Sequence, residues 1–302
     1  MLREARVSAT ARVGAVPLFA RTAARHAVPG TGSMAAEEPQ ELRLLAIVPA
    51  YNEEGMIGRV VRDIKRQAPG FNVLVVDDGS TDATVVEAED GGAIVLRHPF
   101  NLGIGGAMQS GYKYALAHGY DVAVQVDGDG QHKPEYLPQM LAALHTGDAE
   151  ADMVYGTRFR GDPGYRVPLG RRLGNLIFSL VLTAITRQKI TDPTSGFRMV
   201  NRRGIELFAR DYPHDYPEVE AILMLHNNRL RIHEVQVRMN ARGFGRSSID
   251  YPRAAYYMVK VMLALFVGLL RRRPDAFEGA PPPATGEFAA VEAKAEGSGG
   301  TA

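Results

Sequence analysis

The chain has 302 residues, no Cys, no Trp and a formal net charge of +1. Hydrophobic residues make up 45% and charged residues 23%, a composition typical of a globular protein rather than a disordered or fibrous one. Because Cys is absent, the sequence excludes disulfides, thiolate metal sites, iron–sulfur clusters and thiol catalysis.

The small net charge is a sum over segments of opposite sign. Residues 34–157 contain 8 basic and 19 acidic side chains, whereas residues 158–274 contain 21 basic and 9 acidic ones. This asymmetry indicates an acidic first half and a basic second half with different partners.

The two ends of the chain differ from its middle. Residues 1–40 carry five Arg and no sustained apolar periodicity, and the stretch Val13–Ala20 is interrupted by Gly14 and Pro17. We expect a disordered extension there, with Met34 as an alternative start, or else a transit peptide. Residues 275–302 are rich in Pro, Ala, Gly and Glu, which also predicts disorder.

Apolar runs and helical spacings alternate through the first half of the middle region. In chain order they predict a strand at 44–48, a helix at 56–67, a strand at 71–76, a helix at 82–90, a strand at 93–96, a helix at 105–118 and a strand at 121–126. This order predicts an α/β domain over residues 41–250, with a mostly parallel sheet covered by helices on both faces. Ligands of such sheets bind at the carboxyl ends of the strands. The loops there are Pro49–Glu54, Asp77–Asp82 and Asp127–Gln131.

Two strongly apolar helices are predicted in the second half, at Leu173–Thr186 and Ala254–Leu270. The uncharged part of the second, Val261–Leu270, is far shorter than the roughly 18–20 residues that span a membrane. Residues 251–274 are expected to form an amphipathic helix that ends in Arg271–Arg273. Both helices fit either a membrane interface, with flanking Arg on lipid phosphates, or a buried core.

The sequence Asp127-Gly128-Asp129-Gly130-Gln131 predicts a metal site. Its two carboxylates follow a buried strand and can reach one cation, and Gln131 adds a carbonyl oxygen. Hard oxygen ligands of this kind suit Mg²⁺ or Mn²⁺. The alternative is a turn in which the acids accept hydrogen bonds from backbone N–H groups.

The neighbouring loops predict a nucleotide pocket. Acidic side chains stacked at adjacent strand ends repel one another unless a cation or hydrogen-bond donors compensate. Their carboxylates can accept from a ribose diol or a base N–H, and Tyr51 offers a stacking face. Gly103–Gly106 lacks the last Gly of a dinucleotide fingerprint, and no Walker sequence occurs. A metal ion must therefore neutralise much of the negative charge of a bound diphosphate.

These residues carry a family resemblance. Pro49–Glu53, Val75–Ser80 and Asp127–Gln131 resemble the sequences of family 2 glycosyltransferases with the GT-A fold. Three further segments resemble the branch of this family that contains dolichyl- and polyprenyl-phosphate mannose synthases: Asn101–Ala107, Gly156–Arg158 and Asp192–Arg198. The match runs from Leu44 to Ile249, about two-thirds of the chain, in the family's order and spacing.

The resemblance implies roles for individual residues. The implied donor contacts are Pro49, Tyr51, Glu53, Val76, Asp78, Asp127, Gly128 and Asp129, and the implied metal ligands are Asp127, Asp129 and Gln131. The implied catalytic residues are Asp129, Arg158 on a donor or acceptor phosphate, and Arg242. Those synthases have a Lys after the second Arg, where this chain has Ser248, with Arg246 nearby.

The implied activity is inverting transfer of a mannose- or glucose-type sugar from a nucleotide-diphosphate sugar to a polyprenyl or dolichyl phosphate, with Mg²⁺ or Mn²⁺. We expect peripheral contact with the cytoplasmic face of a membrane and no nucleic-acid partner. A soluble family 2 enzyme acting on a sugar or small-molecule hydroxyl is the first alternative; its base candidates are Asp192, Asp215, Glu218 and Glu220. A non-catalytic nucleotide-sugar-binding protein is the second.

Overall fold

A seven-stranded sheet forms the centre of the protein, seen here in a computed structural model. The structure describes residues 41–145, 150–159, 169–214, 217–240, 260–263 and 265–267. The sheet and its helices belong to one compact unit that begins at Arg43.

The element bounds are as follows. The strands are β1 Leu44–Ala50, β2 Phe71–Asp77, β3 Ile94–Arg97, β4 Val122–Gln125, β5 Met153–Thr157, β6 Arg198–Asn201 and β7 Ile232–Gln236. The helices are α1 Ile57–Gln67, α2 Thr84–Asp90, α3 Gly103–Ala117, α4 Leu137–His145, α5 Leu169–Thr186, α6 Arg202–Arg210 and α7 Pro217–Asn227, with a short 3₁₀ turn at Pro134–Tyr136.

The strand order is β3-β2-β1-β4-β6-β5-β7. Strands β1 to β4 pair in parallel, β6 runs antiparallel to both β4 and β5, and β7 is parallel to β5. The sheet is therefore mixed but mostly parallel, which confirms the predicted fold class.

Helices cover both faces of the sheet, as predicted. Along β1, Leu45 and Ile47 pack into one core cluster with residues of α3, α5, α6 and α7. Ala46 and Val48 point to the other face and pack with residues of α1, α2 and α4. Because both faces are buried, the strand reads as a continuous apolar run.

Helices α2 and α3 each begin two residues away from the predicted start. Helix α2 begins at Thr84 because Asp82 lies outside it, accepting from the Thr84 backbone N–H with its Oδ1 at 3.0 Å. Helix α3 begins earlier than predicted, at Gly103, because Asp78 from another loop accepts the backbone N–H groups of Leu102 and Gly103.

The second half contains regular elements that the sequence did not predict. They are α4, β5, β6, α6, α7 and β7. The apolar helix expected at Leu173–Thr186 is longer, beginning at Leu169.

Only part of the expected helix at 251–274 lies within the described residues. Residues 260–263 and 265–267 are helical, with Val261 and Leu265 buried and Leu263 and Phe266 exposed. In the part of the chain that the structure describes, no helix combines the length and apolar character needed to cross a membrane.

Candidate active site

The three acidic loops meet at one edge of the sheet, where the sequence predicts them. Strand β1 lies between β2 and β4, and in the β1–β2 register Ala50 is opposite Asp77. The Val126 N–H donates to the Ile47 carbonyl, which carries the β4 segment up to the same edge. The carboxyl groups that follow these strands are therefore gathered at adjacent strand ends.

The predicted metal turn is stabilised by its own side chains. Gln131 donates to Asp129 twice, from its backbone N–H to Oδ1 at 3.0 Å and from Nε2 to Oδ2 at 2.7 Å. Asp127 Oδ1 accepts from Gln125 Nε2 at 3.0 Å. Asn240, beyond β7, donates its backbone N–H to the Gln131 carbonyl and its Nδ2 to the Gly130 carbonyl. These hydrogen bonds fix the shape of the turn.

The residues of this turn fit a divalent cation. Asp127, Asp129 and Gln131 are all half-buried, so their oxygens remain open to solvent on one side. A Cβ at Gly196 would lie 3.4 and 3.5 Å from the two carboxylate oxygens of Asp127, so glycine there leaves room beside the carboxylate. The described residues contain no cluster of three or more His, Asp or Glu side chains suited to a metal. Two carboxylates completed by ligand oxygens and water is the coordination that Mg²⁺ accepts.

His132 supports this turn, a role that the sequence did not predict. Its Nδ1 accepts from the Asp127 backbone N–H at 3.0 Å, which leaves the ring proton on Nε2, 3.4 Å from Asp127 Oδ2. The ring stacks on Phe197, with centroids 4.7 Å apart. Burial lowers the pKa of His132, while Asp127 and Asp129 oppose that shift. A neutral, stacked imidazole therefore fixes the orientation of Asp127.

Asp78, an expected donor contact, is almost completely enclosed. Its Oδ1 accepts from His98 Nδ1 at 2.8 Å and from the Leu102 N–H at 2.9 Å, and its Oδ2 accepts from the Gly103 N–H at 2.8 Å. His98 is itself held by Ser110 Oγ, 2.9 Å from Nε2. Only Oδ2 keeps a free lone pair for a nucleotide, and His98 is a second supporting residue that sequence reasoning missed.

The other expected donor residues differ in exposure. The Tyr51 side chain is 50% exposed and so presents a free ring face. Pro49 and Val76 are opposite each other in the β1–β2 register and are buried, so they shape the edge of the pocket from within the sheet. A Cβ at Gly128 would lie 3.1 Å from the Pro49 carbonyl and 3.5 Å from Glu53 Cγ, so the first and third loops touch at this glycine.

Arg158 lies in a buried ion pair with Asp192. Its Nε and Nη2 donate to the two Asp192 oxygens at 2.7 and 2.8 Å, and its backbone N–H donates to Oδ2 at 3.1 Å. Nη2 also donates to Thr194 Oγ1 at 3.0 Å. Asp192 is fully buried and already occupied by these bonds, which makes it a partner of Arg158 rather than a free base.

Arg198 fixes the segment that connects this ion pair to the Asp127–Gln131 turn. The side chain is buried and donates to the carbonyls of Ser195, Pro193, Pro217 and Glu218. It thereby joins the 192–197 segment to the start of α7. The same segment contributes Asp192 to Arg158 and Gly196 to the wall beside Asp127.

Several predicted residues lie outside the described residues: Asp215, Arg242, Arg246 and Ser248. Of the remaining base candidates, Glu218 and Glu220 lie in the first turn of α7. Burial raises the pKa of Glu218, an effect that Arg198 opposes and Asp127 reinforces.

Stability should depend on pH through His132. Because the pKa of His132 is lowered on folding, the unfolded state binds more protons as the pH falls below about 6.5, and native stability decreases. The stability difference between the wild type and His132→Asn should shrink by up to about 2 kcal/mol between pH 7.5 and pH 5.0. Denaturant unfolding measures it, with exposed His233→Asn as the control. A pH-independent difference would contradict the assignment.

Breaking the Arg158–Asp192 pair should be costly. Asp192→Asn leaves a guanidinium that is 8% exposed without its counter-charge, and the free energy of unfolding should fall by about 3–5 kcal/mol. The matched control is Asp63→Asn, which removes the exposed partner of Arg66 on α1 and should cost less than about 1 kcal/mol. Equal losses in the two variants, measured by denaturant unfolding, would contradict the structural role of the pair.

Comparisons with known proteins agree with this architecture. The family model for glycosyl transferase family 2 matches residues 45–208. The undecaprenyl-phosphate mannosyltransferase of Micrococcus luteus is 33% identical over 218 residues, covering 69% of this chain and 88% of that protein. The UDP-N-acetylglucosamine–dolichyl-phosphate N-acetylglucosaminyltransferase of Methanococcus voltae is 30% identical over 212 residues, covering 64% and 83%.

A solved structure shares the fold. The glucosyl-3-phosphoglycerate synthase of Mycobacterium tuberculosis, in complex with Mn²⁺, UDP and glucosyl-3-phosphoglycerate, aligns with a TM-score of 0.58 and 22% identity, covering 74% of this chain and 79% of that one. The chain therefore belongs to glycosyltransferase family 2 and is a hexosyltransferase enzyme with the GT-A fold.

Proposed function

We propose that the enzyme transfers a mannose- or glucose-type sugar, with inversion, from a nucleotide-diphosphate sugar to a polyprenyl or dolichyl phosphate, in the presence of Mg²⁺ or Mn²⁺. The proposal rests on the 192–198 segment, because this one segment contacts both Arg158, through Asp192, and the Asp127–Gln131 turn, through Gly196. Gly196 adjoins Asp127, and Asp192 holds Arg158.

The donor would lie across the ends of β1, β2 and β4. Tyr51 supplies an exposed ring for the base, and Asp78 Oδ2 accepts a base N–H. Asp127, Asp129 and Gln131 would hold the cation, whose chemistry is neutralisation of the diphosphate charge. The solved structure of the Mycobacterium tuberculosis enzyme, which shares the fold, contains Mn²⁺ and UDP and so supports this placement.

The transfer is a single displacement at the anomeric carbon. An oxygen of the acceptor phosphate forms the new carbon–oxygen bond, and the bond to the diphosphate oxygen breaks with its electron pair leaving on the nucleoside diphosphate. Arg158, whose position is fixed by Asp192, would stabilise negative charge on the phosphates without having to reorganise. His132 keeps Asp127 in its orientation throughout.

The acceptor is assigned from charge and from the relatives. The two relatives named above differ in the sugar they transfer but share a polyprenyl-type phosphate in their names. A phosphate is already anionic at neutral pH and needs no general base. This agrees with the buried pairing of Asp192.

A hydroxyl acceptor is the second candidate, favoured by one observation. Burial raises the pKa of Glu218, and the Asp127 carboxylate adds to that shift, which makes this carboxyl group the candidate general base. The presence of Asp127, Asp129 and Gln131 together argues against a nucleotide-sugar-binding protein without turnover.

Helix α5 supports contact with a membrane. Its polar residues Asn175, Ser179 and Thr183 face inward and bond to the 190–194 segment. Leu176 and Leu180, on the outer side, are 53% and 62% exposed. The helix also buries Phe178 and Leu182 in the core, so its exposed Leu side chains form a second apolar side, and that side fits a lipid interface. We propose the cytoplasmic face of the membrane as the site of action.

The function is tested by assaying nucleotide-sugars against polyprenyl phosphate with Mg²⁺ or Mn²⁺. The wild type should form the sugar-phosphate lipid, and chelation should abolish turnover. Asp129→Ala should lower turnover by at least about 100-fold, because the cation that neutralises the diphosphate loses one of its ligands. Unchanged turnover in Asp129→Ala would refute the metal assignment.

Glu218→Gln separates the two acceptor classes in the same assay. Transfer to a lipid phosphate should persist within a few-fold, because no base is required. Transfer to a hydroxyl acceptor should be lost. Activity on sugar hydroxyls alone, abolished by Glu218→Gln, would replace the lipid-phosphate proposal with its alternative.

Membrane contact is tested by sedimentation with liposomes that contain anionic lipid. Leu176→Ser with Leu180→Ser should reduce the bound fraction several-fold without loss of stability, because both side chains are exposed. Val86→Ser, which changes an exposed apolar residue on α2, is the control. Equal binding by all three proteins would argue against docking through α5.

A further inference from the structure

A basic cavity lies at the end of the sheet opposite the candidate active site. It has a volume of about 360 Å³ and is lined by Gln188, His226, Arg229, Arg231 and His233, among others. Strand β7 begins beside it at Ile232 and runs parallel to β5, whose far end leads to Arg158. The cavity is thus separated from Arg158 by the length of the strands, and the proposed transfer does not use it.

The lining presents donors on one face. Arg229, Arg231 and His233 are exposed, whereas Leu230 and Ile232 between them are buried. Arg guanidinium and imidazole N–H groups are hydrogen-bond donors that suit oxyanions, whereas Gln188 Nε2 already donates to the Ile232 carbonyl.

The backbone at this cavity holds Arg where glycine is expected. Only three described non-glycine residues have a left-handed φ, and two of them are Arg187 and Arg229, at +55° and +58°. Arg229 follows α7 in a C-terminal motif closed by the Leu230 N–H on the Leu225 carbonyl, a position that favours Gly or Asn. Arg187 follows α5 and precedes Gln188. Arg229 thus lines the cavity from a strained backbone position, and Arg187 directly precedes the lining residue Gln188.

Among the described residues, basic side chains are concentrated around this cavity. Helices α5 and α7 both end here, and each C-terminus contributes about half a negative charge. Arg187, Lys189, Arg229 and Arg231 more than offset this. The adjacent carboxylate, Asp152, accepts from Arg203 Nη1 at 3.2 Å and from the backbone N–H of Arg231. In the described part of the chain, neither Arg229 nor Arg231 forms a side-chain ion pair.

We propose that this cavity is a second anion site, which binds the phosphate group of a phosphomonoester or of an anionic phospholipid headgroup. The Arg229–His233 stretch supplies the donors, and the cationic excess supplies the attraction. The site is independent of sugar transfer, so its existence does not depend on the acceptor proposed above.

Titration with inorganic phosphate at constant ionic strength tests the site. EDTA is present so that no divalent cation is bound at Asp127–Gln131. The variant Arg229→Gly with Arg231→Gln removes two charges and also relieves the left-handed strain at residue 229. Its phosphate affinity should fall at least tenfold. The control, Arg59→Gln with Arg66→Gln, removes two exposed charges from α1 and should bind as the wild type does. Unfolding without phosphate verifies folding, and Arg231→Gln alone repeats the test if the double variant is unstable.

A second arm identifies the source of the phosphate. The three proteins are sedimented with phosphatidylcholine vesicles with and without 30% phosphatidylglycerol. A several-fold loss of binding to the anionic vesicles, confined to the cavity variant, would assign the site to a lipid headgroup. Unchanged vesicle binding together with lost phosphate binding would assign it to a free phosphomonoester. Equal phosphate affinity in all three proteins, or no binding by the wild type, would overturn the proposal.

Discussion

Repulsion among carboxylates at the ends of β1, β2 and β4 is the constraint that organises the candidate active site. Three of these acids accept hydrogen bonds from donors of their own: Asp78 from His98 and the start of α3, Asp127 from Gln125, and Asp129 from Gln131. These bonds offset the repulsion between neighbouring acids. They also fix the carboxylate orientations in advance, so that binding a cation and a diphosphate needs little rearrangement.

The two buried arginines of the site, Arg158 and Arg198, are held by acceptors rather than by donors. Arg158 is paired with one carboxylate through two side-chain hydrogen bonds, whereas Arg198 is surrounded by backbone carbonyls. A buried guanidinium satisfied by carbonyls draws separate segments together, because each carbonyl gains a charged donor. The 192–198 segment is consequently fixed at both ends, and it carries Gly196 against Asp127 as a rigid wall.

The first half of the fold could be predicted because its strands are buried on both faces and read as continuous apolar runs. Strands β5 to β7 could not: β6 contains Arg198, whose burial depends on carbonyls from Pro193 to Glu218, and no local pattern reveals those partners. The acidic residues of the site were predicted from their position after strands. His98 and His132 were not, because an isolated His is identified as a support only when its partner is known, and Asp78 lies 20 residues from His98.

Helix α5 links the proposed membrane face to the chemistry. Its inner side holds the 190–194 segment through Asn175, which donates to the Thr191 carbonyl and accepts from Thr194 Oγ1, and Thr194 in turn accepts from Arg158. The outer side presents Leu176, next to Asn175 in the sequence. A helix that turned to bury Leu176 in the protein would withdraw Asn175 from Thr194 and loosen the support of Arg158. An apolar surface outside the protein removes that competition, so a lipid interface would stabilise the same helix orientation that the Arg158–Asp192 pair requires.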